Sequence, residues 1–273
     1  VCSGGVDVRL WRGMSGVRCE TVDIRRVISP CRDALAIIRL FFFFRRNRIQ
    51  IAHSSTPKAG LLTAIAAFLA GVPIRLHTFT GQPWVTMHGL KGWLSRSSDV
   101  LVGKLNTHCY ADSESQRQFL IGHQILNNEC LSVIGSGSLA GVDIHRFDSE
   151  RFSLADCVSM RRSLEIPEGA PVLLFVGRIT EDKGVQELLR AFGALKAASS
   201  EAHLVFVGPL DAESGVGGAI SHEDIEQARD VHMVGHSEYP EAYMAIADVL
   251  CLPSYREGFG TVVIEAAAMG VPT

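Results

Sequence analysis

The chain has 273 residues, of which 47% are hydrophobic and 20% charged, and its formal net charge is -3. That length suits two domains of ordinary size, each with its own apolar interior. The balance is that of a globular chain and argues against a polyanion as main partner, so nucleic acid binding is excluded first. The 7 cysteines (Cys2, Cys19, Cys31, Cys109, Cys130, Cys157 and Cys251) are scattered, odd in number and free of any Cys-x-x-Cys pair. This suits a reducing cytoplasm better than a disulfide framework or a zinc site. No run of about 18 uncharged apolar residues is present, and the first residues carry no basic-then-apolar leader pattern. A soluble or membrane-peripheral protein is expected. The start at Val1 and the stop at Val271-Pro272-Thr273, where another strand is due, read as the ends of a fragment.

In chain order, residues 35–48 come first, with Phe41 to Phe44 followed by Arg45, Arg46 and Arg48. An apolar helix with a basic end can dock on anionic lipid, or it can pack on a sheet with its basic end solvated. From there short apolar runs alternate with helical patterns: strands at 49–54, 73–79, 107–113 and 130–134, helices at 57–70 and 89–106. The run from Gly135 to Asp143 breaks the pattern and reads as an interdomain hinge rather than a dinucleotide loop, since it opens no helix. A second series follows, with strands at 172–178, 203–209, 231–235 and 249–253 and helices near 153–163, 185–198, 221–229, 238–247 and 259–269. Such alternation predicts an α/β protein of two doubly wound, Rossmann-like domains, residues 1–150 and 151–273, forming a cleft. Ligands are then expected beyond the carboxyl ends of the strands.

Two segments of the second half carry chemistry. The strand at 172–178 runs into Gly177-Arg178-Ile179-Thr180-Glu181-Asp182-Lys183-Gly184, and a helix opens directly after. A helix N-terminus beside a strand end is an anion site; Arg178 can grip one phosphate bidentately and Lys183 adds a point charge. No Asp-x-Asp pair for a metal exists in the chain, so no metal and no cofactor is expected, and the basic pair is favoured as leaving-group stabiliser. The bland alternative is two solvated cations beside a turn. The second segment, Pro253-Ser254-Tyr255-Arg256-Glu257-Gly258-Phe259-Gly260, leads into a helix carrying Glu265. Glu257 can accept hydroxyls of a sugar and Glu265 a ribose diol, while the glycines let backbone approach a ligand; alone, two glutamates at this spacing are weak evidence.

Taken together, Phe175-Val176-Gly177-Arg178, Lys183-Gly184, Pro253-Ser254, Glu257-Gly258-Phe259-Gly260, Glu265-Ala266 and Gly270-Val271-Pro272 resemble the donor domain of the retaining family 4 glycosyltransferases, which have the GT-B fold. His53-Ser54-Ser55-Thr56-Pro57-Lys58, His77-Thr78-Phe79-Thr80-Gly81 and Ala111-Asp112-Ser113 extend the likeness over nearly the whole chain, toward bacterial transferases of surface-polysaccharide synthesis. The resemblance implies a retaining, metal-independent transfer from a nucleotide-diphosphate sugar, with a lean toward UDP, to a glycan or a lipid-linked acceptor. It gives Arg178 and Lys183 the diphosphate, Glu257 the sugar, Glu265 the ribose, and Gly177 with the backbone N–H groups of Gly258, Phe259 and Gly260 the cradle. A histidine at the place of His77 would line the reaction centre from the acceptor side. Alternatives are a nucleotide-sugar epimerase on the same fold and a catalytically silent partner subunit.

On the acceptor side His53 ends a strand, and Ser55, Thr56 and Pro57 look like a cap and first turn. Lys58 stands where an acceptor phosphate could bind, or is simply solvated beside a capped helix start. Asp112-Ser113 reads as an N-cap, and the remaining histidines form no metal-binding spacing.

Overall fold

The computed structural model describes residues 15–25, 28–138, 141–210, 229–255 and 257–273. The helix expected near 221–229 therefore lies outside the described residues except for Arg229. The chain divides into two compact units, Val1–Ser138 and Leu139–Thr273. The division falls inside the glycine-rich junction, ahead of the 150/151 boundary expected from sequence.

The first unit is built on β1 (Ile51–Ser54), β2 (Ile74–Phe79), β3 (His108–Ala111) and β4 (Leu131–Val133), a 4-stranded sheet in that order. All its pairings are parallel, with Ser54 opposite His77 and Phe79 opposite Ala111. Helices α2 (Pro57–Leu69), α3 (Gly89–Leu105) and α4 (Glu114–Gly122) connect the strands, and α1 (Pro30–Arg46) precedes them. α1 opens with proline at its first helical position and carries Asp33 in its first turn and Arg45 and Arg46 in its last, the polarity the helix dipole favours. Its inward residues Ala36, Leu40 and Phe44, at helical spacing, meet Leu62, Ala66 and Ala67 of α2. α2 packs against both α1 and α3. Its small, apolar face lets the neighbours come close, and Gly60 lies directly against the His77 ring. Of the phenylalanine run, Phe44 is buried and Phe41 and Phe43 pack against the same cluster, whereas Phe42 faces out beneath the Arg46 guanidinium. Ser113 caps α4 by accepting a bond from Gln116 N.

The second unit carries β5 (Val172–Val176), β6 (His203–Val207), β7 (Val231–Gly235) and β8 (Val249–Leu250), in the order β7-β6-β5-β8 and again parallel. Among the described residues it also carries helices α5 (Leu154–Ser163), α6 (Val185–Ala197), α7 (Pro240–Met244) and α8 (Thr261–Ala268). β6 is buried along its whole length, as a central strand covered on both faces must be. α7 is shorter than expected because Pro240 fits only a first turn. Leu250 N donates to Pro272 O at 2.8 Å, so the chain after α8 runs beside β8. The order is decisive for function: the chain goes from β5 outward to β7, then returns to the other side of β5 with β8. The order in which strands are added across the sheet thus reverses between β5 and β8 while all strands stay parallel, and ligands of such sheets bind at the carboxyl ends flanking that switch point. Residues 177–184 leave β5 there, and residues 251–260 leave β8.

Phe206 is fully buried and packs on Phe175 with ring centroids 5.3 Å apart. Phe206→Ala is expected to destabilise the second unit by about 3–5 kcal/mol, seen as a lower urea midpoint. Phe42→Ala, on an exposed ring, should cost under about 1 kcal/mol.

Candidate functional site

At the switch point the two loops are brought to backbone contact. Pairing continues past the ends of β5 and β6, where Gly177 N donates to Val207 O and Ile179 N to Pro209 O, each at 2.9 Å. Gly208 allows this crossing, since a Cβ there would stand 1.8 Å from Gly177 O. Residues Glu181–Lys183 form one 3-10 turn, stapled by the Thr180 hydroxyl donating to Asp182 Oδ1 at 2.6 Å. Gly184 then takes a left-handed conformation (φ 68°), and a side chain here would place its Cβ 2.1 Å from Pro253 O. Only glycine lets the first loop meet the second so closely. Tyr255 N donates to Asp182 O at 3.0 Å and completes the join.

That join sets Lys183 beside Glu257: Nζ donates to Oε1 at 2.5 Å, with side chains 17% and 28% exposed. The pair spans 74 positions of sequence, and its partial enclosure makes it stronger than a free surface pair. Arg178, just beyond β5, is exposed. Gly258, Phe259 and Gly260 are half-buried and lead into the N-terminus of α8, with Gly260 as its left-handed N-cap (φ 72°). Around these loops Ser254 Oγ, Glu181 Oε2 and Glu187 Oε2 are enclosed without a hydrogen-bond partner.

Glu265 lies half-buried on α8. Burial raises its carboxyl above the ordinary range, the charge of Arg146 works against that, and Glu241 adds to the rise. Arg146 was not singled out from sequence. Its Nε and Nη2 donate to Glu241 Oε1 and Oε2 at 3.0 and 2.8 Å, and Nη2 also donates to Glu238 O. Glu241 is 5% exposed, so the guanidinium neutralises a buried carboxylate while it bears on Glu265. The only available signal was a lone arginine just past the junction, with its partner 95 positions away.

In the first unit the structure brings His53 and His77 together but not as expected. His53 Nε2 is hydrogen-bonded to Thr78 Oγ1 at 2.8 Å, and His77 Nδ1 to Ser54 Oγ at 2.9 Å. His77 is 2% exposed, edge-on to Phe79 at 4.6 Å and covered by Gly60 of α2. Its ring is enclosed inside the unit. The Nζ of Lys58 lies 2.7 Å from Asp33 Oδ1 of α1, with both side chains largely covered, and this ion pair joins α1 to α2. Thr56 occupies the N-cap position of α2 without a side-chain cap bond.

The burial of His77, with the nearby His53 charge second, lowers its pKa from 6.5 to about 4. Between those values the unfolded chain binds a proton that the native ring refuses, so stability falls as pH falls through the window. Asp99 acts oppositely: burial raises its pKa from 3.8 to about 6, and its contribution is lost as pH rises. His77→Gln is therefore expected to flatten the acid-side loss of stability between pH 7 and 5. Parallel urea midpoints for both proteins would mean that the native ring takes up the proton.

Comparison with known proteins bears on the fold. Residues 159–273 match the family Glycosyl transferases group 1. The capsular polysaccharide biosynthesis glycosyltransferase CapM of Staphylococcus aureus is 28% identical over 253 residues, covering 93% of this chain and 65% of that protein. The UDP-Gal:alpha-D-GlcNAc-diphosphoundecaprenol alpha-1,3-galactosyltransferase of Escherichia coli is 24% identical over 253 residues, covering 90% and 62%. The crystal structure of HepE of Anabaena in complex with UDP-glucose superposes with a TM-score of 0.69 at 19% identity, covering 87% of this chain and 62% of that one. The chain thus spans somewhat less than two thirds of these relatives, and its two parallel-sheet, Rossmann-like units have the GT-B fold.

Proposed function

We propose that this chain, whose residues 159–273 form a glycosyl transferases group 1 domain, belongs to a retaining, metal-independent transferase that moves a sugar from a UDP-sugar to a lipid-linked or glycan acceptor in bacterial surface-polysaccharide synthesis. The observation that carries this reading is the Lys183–Glu257 pair at the switch point. UDP-glucose in the HepE complex and the diphosphoundecaprenol acceptor in the name of the E. coli relative support the donor and the acceptor class. A cytoplasmic protein working against the inner face of the membrane fits that acceptor, and the scattered free cysteines and the basic, half-exposed α1 fit it as well.

In this reading each side chain has a separate task. Arg178 and Lys183 neutralise the diphosphate as charge develops on it, which a low-dielectric pocket makes more effective than water. Glu257 holds the Lys183 ammonium in place before the donor arrives and then shares it while accepting a hydroxyl of the sugar. Glu265 accepts the ribose diol. The donor's anomeric C–O bond breaks, the acceptor oxygen bonds on the same face, and the acceptor proton passes to the departing phosphate oxygen. No enzyme nucleophile takes part, and the protein contributes position and charge.

Calorimetry with UDP and UDP-glucose tests the site. Lys183→Ala is expected to weaken UDP binding by roughly tenfold or more. Glu257→Ala should change UDP affinity less than Lys183→Ala does and remove the added contribution of the glucose. Equal binding of both nucleotides by both variants and the parent would sink the assignment.

A further inference from the structure

The outward side of α3 has no task in the reading above. Leu90, Trp93, Leu94 and Leu101 are 72%, 63%, 48% and 40% exposed, and their spacing places all of them on one stripe of the helix. Val85, in the 3-10 turn before the helix, is 42% exposed. The opposite side is fixed inward. Gly92 and Val102 are buried, and Cβ atoms added at Gly92 and Gly103 would come within 2.7 Å of Met87 O and Leu126 Cγ respectively. A helix packed this tightly on one side cannot roll to hide its other side.

The charges beside the stripe are of one sign. Lys91 and Lys104 are exposed and Arg96 is half-exposed, while the single acid between Thr80 and Leu105, Asp99, is 3% exposed and accepts the Trp84 indole N–H at 2.7 Å. A face of this composition cannot pair with its own copy by a twofold contact without setting cations against cations. It suits an anionic surface that also takes up apolar side chains, and tryptophan is the residue that favours the interface between water and hydrocarbon.

We propose that the Leu90–Trp93–Leu94–Leu101 face of α3 docks this protein on an anionic lipid bilayer. The inference rests on the reading of a membrane-linked acceptor and supplies the surface for it. α1 packs against α2 as α3 does and turns Leu35, Ile38 and Phe42 outward among Arg39, Arg45 and Arg46, a second face of the same kind. Each cation near the surface adds to the attraction, which fades with salt.

Flotation of the 273-residue chain with vesicles of phosphatidylcholine containing about 30% phosphatidylglycerol tests this, with pure phosphatidylcholine as the comparison. The parent is expected to float with the anionic vesicles and to be released by salt. The variants Leu90→Glu/Leu94→Glu and Lys91→Glu/Lys104→Glu should each lose at least roughly tenfold in partitioning, with circular dichroism and UDP affinity unchanged. Absence of flotation, equal flotation of parent and variants, or a parent dimer that the variants turn into monomers would overturn the proposal. A parent that binds UDP but does not float removes this inference alone, whereas failure to bind UDP removes the transferase reading instead.

Discussion

The constraint on which the second unit's chemistry depends is the contact of Gly184 with the carbonyl of Pro253. Two loops that leave different strands are pressed together at the switch point, and any Cβ at position 184 would hold them apart. Their contact lets a lysine and a glutamate far apart in sequence form one ion pair. It also places Tyr255 N on Asp182 O, so the backbone of each loop braces the other. For the donor site proposed above, such bracing means order before any ligand arrives and little conformational entropy left to lose on binding.

The first unit uses similar residue types for a different end. Lys58 and Asp33 fasten α1 to α2, and the hydrogen bonds of His53 and His77 join the ends of neighbouring strands. These groups satisfy one another inside a parallel sheet and its helices, where an unpaired charge or donor would be costly. The accessible character of this unit lies instead in the apolar and cationic side chains on the outer faces of α1 and α3.

The fold was largely legible in the sequence because its punctuation is physical. Pro57 marks the start of α2, the glycine at 89 the start of α3, and 231–235 is a strand in both readings. The expected 238–247 helix was too long because the pattern was extended across Pro240. Glu257 and Lys183 were found by type and loop position, but their mutual bond could not be read, since it depends on how closely two turns approach. The same gap explains His77, Lys58 and Arg146. A sequence tells which group a residue carries and roughly where its backbone lies. It does not tell whether a neighbour has already consumed that group, and Asp33, Ser54 and Glu241 had done so.

One detail of the second sheet bears on how the Glu257 loop is held. β8 has two residues, and the amide of Leu250 is engaged by Pro272 O. The chain leaves β8, runs through the Glu257 loop and α8, and returns to the strand it left. That bond closes the excursion into a ring of backbone, so the loop and the helix it opens are tethered at both ends to the same short strand.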